Sequence, residues 1–502
     1  MALSAHKLVC IVLVFVLSAV ISSCSVPTQS RSSDTMTVAD AVYVMGEDIR
    51  SVTDEVLLED ISRRTFDFFW ETANPENGLV PDRYPSQSFA SVAAVGFGLT
   101  ALPIGVERGY VSREEASNRV LTTLRFFMRA PQGQGAVGMT GYKGFYYHFL
   151  DMDTGVRFNE HVELSTIDTA LFLVGALFCQ TYFDQQNIVE TEIRTLAEAL
   201  YARVDWSWAS PRSPLISHGW FPEKGFIEYD WGGFNEAMPL YVLAIAAPEQ
   251  AIPAISWERW AESFSDAWGH TFGKDRLLFP SLFGHQFNNG WIDFRGIKDK
   301  FIHSKNTDYF ESARRAVYAQ QKYATENPLN WKGYDKWVWG LSASDGPADT
   351  QQVYQGETRQ FASYSARGIT TVSYTGKRNW ALDDGTITPM AAGASIAFAP
   401  DIVIPTLRSM RSRYGKILYS KYGFLDAFNP SFEFEVPLKH GRVIPGVGWV
   451  DTDYVAIDQG PLLMMLENYR SGLVWQVMRT NKHIINGLKL AGFTGGWLDQ
   501  TE

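Results

Sequence analysis

The stretch that decides the fold runs from Tyr142 to Phe178 and reads YKGFYYHFLDMDTGVRFNEHVELSTIDTALFLVGALF. Its first half alternates aromatic with polar residues and carries a turn signal at 153–155, which predicts a β-hairpin or an extended loop. Its second half, from Ala170 to Phe178, is apolar and rich in small residues. This composition predicts a helix that is buried on most of its sides. The rest of the chain must therefore supply elements that cover this helix.

Two carboxylates, Glu163 and Asp168, lie at the junction between the hairpin and the helix. An acid in the first turn of a helix is stabilised by the helix dipole and by free backbone N–H groups. The same position directs the side chain toward whatever cavity the helix ends line. The junction is therefore the first place to expect chemistry.

The composition is that of a globular protein. The chain has 502 residues, of which 46% are hydrophobic and 20% charged, enough for one large core or two domains. Aromatic residues make up 14% and include 16 Trp, which fits either a large aromatic core or a cleft whose rings stack on sugars. The net charge of −11 without a basic stripe argues against nucleic acid as a partner.

The N-terminus has the features of an export signal. Lys7 precedes the apolar run Leu8 to Ile21, which is too short to cross a bilayer comfortably. The segment that ends at Cys24 resembles the lipobox of bacterial lipoproteins, and Ser25 after it favours the outer membrane. We expect a signal peptide over 1–23, a flexible tether over 24–50 and a single domain over 51–502. Cys24 would carry lipid, and this anchor would be the only membrane contact; a plain secretory signal is the alternative.

The cysteine content predicts no disulfide framework. The chain has three cysteines, Cys10, Cys24 and Cys179. Cys10 would be removed with the signal peptide and Cys24 would be lipidated, while Cys179 lies in an apolar helix as a small core residue. We expect a monomer whose stability comes from its hydrophobic core.

The helical pattern predicts two layers of helices. Segments that are apolar all round begin near residues 88, 168, 235, 389 and 461, and amphipathic segments lie between them. The long interval after 235 has room for a sixth buried helix around 308. A buried ring inside an amphipathic ring predicts an all-α fold, an (α/α)6 toroid with long loops and short hairpins on one face. An irregular all-α domain is the alternative. Pro461 is expected in the first turn of the last buried helix.

Further acids recur before the buried helices, namely Glu236, Asp345, Asp453 and Asp458. Glycoside hydrolysis needs two carboxyl groups across one bond, one protonated and the other ionised. Each acid alone could instead cap a helix or pair with a cation, so the set is more informative than any member. Sequence motifs of serine hydrolases, P-loop enzymes and zinc proteases are absent.

Several ordered motifs resemble the glucoamylase-like family of bacterial exported proteins, which includes glycoside hydrolase family 144. They extend over almost all of the chain from Leu57 to Phe493. They include GFYYHFLDMDTGVR, EYDWGGFNEAMPLYVLAIAAP, LFGHQFNNGWIDFRG, YDKWVWGLSASDGP, DDGTITPMAAGASIAFAP and AIDQGPLLMMLENYRSGLVW.

The resemblance implies an (α/α)6 barrel that hydrolyses β-1,2-glucan with inversion, without a metal or a cofactor, and acts inside the chain or releases sophorose from an end. It implies Glu236 as general acid, with Asp168 and Asp458 positioning water or acting as base. The possible substitutes for these residues are Glu163, Asp345 and Asp453. The expected sugar contacts are Tyr146, His285, Trp231, Trp291 and Trp339.

Two other functions stay open at this stage. One is a different exported β-glucan or glucoside hydrolase on the same fold, and the other is a glycan-binding lipoprotein without catalysis. The acids at 168, 236 and 458 favour an enzyme, because a binder that keeps unpaired buried carboxylates loses stability for no gain. The segment 430–448, with a basic patch at 439–442, is expected to shape one end of the cleft.

Overall fold

The computed structural model describes residues 52–369 and 382–501. The predicted signal peptide, Cys24 and the predicted tether lie outside these residues, and the boundaries of the predicted single domain stay predictions. The described part is rich in α-helix and also contains several small antiparallel sheets.

The α-helices of the described residues are α1 (Asp54–Thr72), α2 (Val92–Glu107), α3 (Arg113–Arg129), α4 (Thr166–Tyr182), α5 (Ile188–Ala202), α6 (Met238–Ala246), α7 (Ile255–Trp260), α8 (Phe264–Ala267), α9 (Phe283–Trp291), α10 (Lys300–Ser304), α11 (Tyr309–Glu326), α12 (Pro389–Gly393), α13 (Pro400–Leu418), α14 (Ala456–Arg470), α15 (Leu473–Met478) and α16 (Lys482–Leu490). Two 3₁₀-helices span Ala261–Ser263 and Gly496–Gln500.

The strands are β1 (Arg83–Tyr84), β2 (Ala90–Ser91), β3 (Gly141–Tyr142), β4 (Phe145–Tyr147), β5 (Phe149–Leu150), β6 (Leu164–Ser165), β7 (Gly219–Phe221), β8 (Gly225–Phe226), β9 (Trp268–Gly269), β10 (Arg276–Leu277), β11 (Ala343–Asp345), β12 (Thr350–Tyr354), β13 (Glu357–Phe361), β14 (Tyr364–Ala366), β15 (Tyr419–Ser420), β16 (Gly423–Phe424), β17 (Phe428–Asn429), β18 (Arg442–Ile444), β19 (Gly448–Val450) and β20 (Tyr454–Val455). The largest sheet has the order β3-β4-β6-β7-β8, and β17, β19 and β18 form a three-stranded sheet.

The stretch from Tyr142 to Phe178 forms the predicted hairpin and buried helix, but its tight hairpin turns at 143–144. The predicted turn at 153–155 lies inside a wider loop that a bridge between Leu150 and Arg157 closes. Strands β3 and β4 form a tight hairpin, and β4 pairs with β6 immediately before α4. The side chain of Ser165 accepts a hydrogen bond from the backbone N–H of Asp168 and so caps α4. Asp168 therefore lies in the first turn of a helix that is buried along most of its length.

Most of the predicted buried helices are present. Helices α2, α4, α6, α12 and α14 begin close to the five predicted positions and are buried along most of their length. Helix α2 packs against α4 and α14, α4 also packs against α6, and α14 contacts α9 and α12. These contacts place the starts of several buried helices near one another.

Among the described helices, α9 is the sixth that is buried along its length, and the prediction of a buried helix around 308 is wrong. Helix α11 is amphipathic, with exposed charged residues on one side. The sequence of α9 hides its burial because it contains polar residues whose groups bond to neighbouring helices. Gln286 Nε2 donates to Ala391 O at 2.8 Å, and Asn288 Oδ1 accepts from the N–H of Met238 at 3.0 Å.

Pro461 does not lie in the first turn of its helix, contrary to the prediction. Helix α14 begins at Ala456, so Pro461 is inside the helix and Asp458 occupies the first turn. The strand β20 leads directly into α14 and fixes this earlier start. As a result, Asp458 has the same position in α14 that Asp168 has in α4.

The described residues also bear on the cysteine and membrane predictions. Cys179 is a free, buried thiol in α4. Among residues 52–369 and 382–501, none of the helices combines the length and the apolar character that crossing a bilayer requires.

Helices α2 and α4 touch through their backbones. A Cβ atom added at Gly96 would lie 2.2 Å from the carbonyl oxygen of Leu171, and one added at Gly175 would lie 2.3 Å from the carbonyl oxygen of Gly96. Real Cβ atoms do not approach oxygen this closely, and a backbone atom cannot swing away as a side chain can. The two glycines therefore set the separation of these helices, and with it the position of Asp168.

We predict that Gly96→Ala lowers the free energy of unfolding by about 2–4 kcal/mol, because the added methyl group forces the two backbones apart. Chemical denaturation monitored by circular dichroism measures this change. Gly273→Ala is the matched control, since an added Cβ there has 3.9 Å to its nearest neighbour, and it should change stability by less than about 0.5 kcal/mol. Equal effects of the two substitutions would contradict the assignment.

Candidate active site

The structure brings the predicted carboxyl groups to one region. Asp168 and Asp458 lie in the first turns of α4 and α14, and Glu236 lies in the loop immediately before α6. The substitutes that the sequence suggested are close by: Glu163 precedes β6, Asp345 ends β11 and Asp453 precedes β20. The buried helices thus deliver their leading acids to a shared site, although those acids are far apart in the chain.

His148 joins two of these carboxylates. Its Nδ1 lies 2.8 Å from Oε1 of Glu163, and its Nε2 lies 3.4 Å from Oδ1 of Asp168. Burial lowers the pKa of His148, but the charges of Asp168 and Glu163 outweigh burial and raise it to about 9. The imidazole is therefore a cation at neutral pH. Its side chain is 31% exposed, so this part of the site is open to solvent.

Two groups hold the carboxylate of Asp168. The hydroxyl group of Ser165 donates to Oδ2 of Asp168, and Oδ1 faces His148. Burial raises the pKa of Asp168, while the positive charge of His148 and the hydrogen bond from Ser165 act against that rise. These contacts fix the orientation of the carboxylate and supply the positive charge that an ionised Asp168 needs.

Glu236 has a different environment from that of Asp168. Its side chain is partly exposed, and it follows a Gly-Gly-Phe-Asn sequence in the loop before α6. Burial of the carboxyl group raises its pKa to about 7, and the negative charge of Asp168 adds to that rise. Near neutral pH, Glu236 is thus protonated in a large fraction of the molecules. Its neighbour Asp168 accepts a hydrogen bond from Ser165 and faces the His148 cation.

The site has two halves: one surrounds His148, and the other is a group of aspartates that surrounds Arg83. The Nη1 of Arg83 donates to Oδ2 of Asp345 at 2.5 Å and lies 4.0 Å from Oδ2 of Asp453, while its Nε lies 3.4 Å from Oδ2 of Asp82. The same Nη1 lies 3.3 Å from Nδ1 of His440. Burial lowers the pKa of His440, which leaves a neutral ring that can accept this hydrogen bond.

Asp458 belongs to a group of buried carboxyls next to Arg83. Burial raises its pKa to about 7, and the negative charges of Asp345 and Asp82 add to this rise. Its direct neighbour is Asp426, whose pKa burial and Asp458 together raise well above the ordinary value. The phenol of Tyr364 also interacts with these carboxyls, and burial with their charges raises its pKa.

Asp82 connects the two halves. Its carboxyl group interacts with Arg83, Asp345 and His148, and burial raises its pKa. The acids from Glu236 to Asp458 therefore form one electrostatic network. It runs from a half-exposed edge at His148 to a fully buried end at Asp345, whose side chain is 0% exposed.

The expected sugar contacts are mostly in the core. Tyr146 and Trp291 are fully buried: the hydroxyl of Tyr146 donates to Phe127 O at 3.1 Å, and Trp291 Nε1 donates to Thr100 Oγ1 at 2.9 Å. Trp339 is also buried. These three rings face the interior rather than a cleft, and they support the view that the many aromatic residues build a core.

Trp231 and His285 are nearer to the site but are also enclosed. Trp231 Nε1 donates to Thr166 Oγ1 at 3.0 Å, and its ring stacks on His218 at 3.9 Å between centroids. Burial and the charge of Arg276 lower the pKa of His285 to about 3, so its ring is neutral. Trp231 thus contacts the first turn of α4 and supports the position of Asp168.

Several residues of the site were not predicted from the sequence. They are Asp82, Arg83, Tyr364, Asp426 and His440. Most lie on short strands or loops whose local sequence carries no chemical signal. The sequence marks the basic patch at 439–442, and in the structure Nδ1 of His440 in this patch lies 3.3 Å from Nη1 of Arg83.

The sequence and the structure both match known proteins. The Glycoamylase family model, described as "Putative glucoamylase", matches residues 228–482. The chain is 28% identical over 486 residues to the exo β-1,2-glucooligosaccharide sophorohydrolase (non-reducing end) of Parabacteroides distasonis, which covers 92% of this chain and 60% of that protein. This chain therefore spans less than two thirds of the length of that curated relative.

The solved structures that are similar to this one include two β-1,2-glucanases. The endo-β-1,2-glucanase from Chitinophaga pinensis, solved with sophorotriose and glucose, has a TM-score of 0.74 at 26% identity and covers 89% of this chain and 100% of its own. The β-1,2-glucanase from Parabacteroides distasonis has a TM-score of 0.72 at 27% identity and covers 88% of this chain and 60% of its own. Since the family model matches just over half of its residues, the chain is a member of the Glycoamylase family.

Proposed function

We propose that this chain is a glycoside hydrolase that cleaves β-1,2-glucan. The observation that carries the proposal is the placement of Glu236, a carboxyl group whose pKa burial raises to about 7, beside Asp168, which is held by His148 and Ser165. Glycosidases need two carboxyl groups in such contrasting environments. We infer the substrate from the similar proteins, whose names give β-1,2-glucan or its oligosaccharides as what they act on.

In this proposal Glu236 is the general acid. It donates its proton to the glycosidic oxygen as the bond from that oxygen to the anomeric carbon breaks. A water molecule attacks the anomeric carbon and loses a proton to a carboxylate, so that the product has the inverted configuration. Asp168 and Asp458 are the candidates for this carboxylate, and the one that is not the base would position the water.

The fold proposed for this activity is an (α/α)6 toroid. The six buried helices α2, α4, α6, α9, α12 and α14 follow one another in contact: α2 with α4, α4 with α6, α12 with α14 and α14 with α2. Hydrogen bonds join α6 to α9 through Asn288 and α9 to α12 through Gln286. Such a closed inner ring gathers the helix starts at one end, which is where the acids lie.

The location and the anchor stay predictions. We propose an exported lipoprotein attached through Cys24, on the strength of the lipobox-like sequence alone. Metabolic labelling of the full chain with palmitate, compared with Cys24→Ala, tests this proposal. Equal labelling of both chains would contradict it.

We predict that the protein releases soluble products from linear β-1,2-glucan, because the roles proposed for Glu236, Asp168 and Asp458 supply the acid and the base of hydrolysis. Chromatography of the products over time measures the mode of action. A ladder of short oligosaccharides indicates cleavage inside the chain, while sophorose alone from the first time points indicates release from an end. Binding of the glucan without any product would contradict the proposal and favour a binding protein.

We predict that Glu236→Gln lowers kcat on β-1,2-glucan by about 10²–10⁴-fold, because the amide cannot donate a proton to the leaving oxygen. The loss should be much smaller on a dinitrophenyl β-sophoroside, whose leaving group departs without protonation. Glu249→Gln is the matched control, since Glu249 is exposed beyond the opposite end of α6, and it should keep wild-type activity. Equal losses by Glu236→Gln on both substrates would show that Glu236 is not the general acid.

We predict an alkaline limb in the pH profile of kcat/KM near pH 7. The reaction needs protonated Glu236, whose pKa burial and Asp168 raise to about 7, so activity falls as pH increases through that value. The fall should approach about tenfold per pH unit, and it should be absent for the dinitrophenyl substrate. Activity that stays constant on β-1,2-glucan up to pH 9 would contradict the role of Glu236.

A further inference from the structure

In the described part of the chain, the buried end of the site has more acidic side chains than basic ones. The six aspartates 82, 345, 426, 451, 453 and 458 are each less than 9% exposed. Among the described residues, the guanidinium of Arg83 bonds or pairs with three of them, Asp82, Asp345 and Asp453. Within residues 52–369 and 382–501, Arg83 forms no ion pair with Asp426, Asp451 or Asp458. Buried carboxylates are unstable unless they are paired or bound to a metal.

Several oxygens of this group lack a donor. Among the described residues, no donor bonds to the buried Asp345 Oδ1, Asp426 Oδ1 and Asp451 Oδ2, or to Asp453 Oδ2 and Asp458 Oδ2. The carboxyls of Asp426 and Asp458 contact each other, so a single proton can join these two, while the carboxyls of Asp345 and Asp451 have no such contact with them. The other oxygens of Asp426 and Asp451 are occupied: Asp426 Oδ2 accepts from the N–H of Asp345, and Asp451 Oδ1 accepts from the N–H of Thr452. Backbone N–H groups therefore hold the carboxyl groups of Asp426 and Asp451 in place, and the second oxygen of each receives no hydrogen bond from a donor among the described residues.

The distances between these groups fit a metal ion. One oxygen each of Asp345, Asp426 and Asp451 lie within 4.8 Å of one another. Oxygen ligands on opposite sides of Ca²⁺ are about 4.6–5.2 Å apart, because each Ca²⁺–O distance is about 2.3–2.6 Å. Three carboxylates and no nitrogen or sulfur ligand favour a hard cation.

A second trio, Asp345, His440 and Asp453, is also compact, but Arg83 occupies it. The Nη1 atom of Arg83 lies 2.5 Å from Asp345 and 3.3 Å from His440. A cation there would meet the guanidinium charge at short range. The trio of Asp345, Asp426 and Asp451 is therefore the better site, with Arg83 and the cation on different carboxylate oxygens of Asp345.

We propose that Asp345, Asp426 and Asp451 bind a calcium ion, which compensates the carboxylates that Arg83 does not reach. The ion is bound at the buried end of the site, away from Glu236 and His148. This site differs from the expectation of a metal-free protein that the family resemblance gave. The ion would fix the positions of the carboxyl groups around Asp458 and stabilise the folded protein. It takes no part in the chemical step.

The test is metal binding by the full chain after chelation, which needs no glucan and is therefore independent of the proposed hydrolase activity. We expect Ca²⁺ at about 1–10 mM to raise Tm by several degrees, because binding to the folded state alone stabilises it. Mg²⁺ should have much less effect, since it requires a small octahedral site. Tb³⁺, a luminescent substitute for Ca²⁺, should be excited through the buried Trp449, which lies two residues before Asp451.

Asp451→Asn should weaken Tb³⁺ luminescence at least tenfold and abolish the Ca²⁺-dependent rise in Tm. Asp349→Asn is the matched control: Asp349 is exposed, accepts hydrogen bonds from Ser363 and lies only four residues after Asp345. It should leave both signals unchanged. If Asp451→Asn does not fold, elemental analysis of the wild-type chain after dialysis against Ca²⁺ measures the bound calcium directly, and about one ion per chain would support the proposal.

Three results would overturn the proposal. They are a wild-type chain without bound calcium and without a Ca²⁺-dependent Tm, an equal shift with Mg²⁺, and equal Tb³⁺ luminescence in both variants. The first result would mean that protons, shared between carboxyls such as Asp426 and Asp458, compensate the buried charge instead.

Discussion

The ion pairs of Arg83 are the interaction on which the arrangement of the site depends. Strand β1 carries Arg83 and pairs with β20, where Arg83 is opposite Val455 at the start of the segment that leads into α14. The pairing of β1 with β20 thus brings Arg83 to Asp345, which ends β11, and to Asp453, which lies in the loop before β20. Removing one partner of a buried ion pair costs about 3–5 kcal/mol, so the fold cannot give up this guanidinium without losing the carboxylates around it.

The same network gives its acids different protonation states. Near His148 the positive charge of the imidazole opposes the rise that burial causes in the pKa of Asp168. Glu236 has no cationic partner among the described residues, and burial raises its pKa to about 7. A hydrolase of this type needs one carboxyl of each kind. The close backbone contact between α2 and α4 fixes where Asp168 enters this network, so helix packing and acid–base chemistry are linked through the glycines at that crossing.

The sequence predicts those parts of the site that depend on local pattern. Asp168 stands at the start of an apolar run, and its position in the first turn of α4 follows from that run. The role of His148 does not, because it depends on Glu163 and Asp168 meeting one imidazole across β4 and β6. Burial of α9 was missed because its polar residues bond to neighbouring helices, and no periodicity records such long-range partners. For the same reason Tyr146 and Trp291 suggest sugar contacts in the sequence but fill the core in the structure.

The most direct test of the account is a crystal structure of the E236Q variant with a β-1,2-linked gluco-oligosaccharide. This variant should bind the substrate without cleaving it. The account predicts that one glycosidic oxygen lies about 3 Å from the side chain at position 236, with a water molecule near the anomeric carbon bonded to Asp168 or Asp458. An oligosaccharide bound away from these three residues, or one whose glycosidic oxygens are out of reach of position 236 even through a water molecule, would contradict the account.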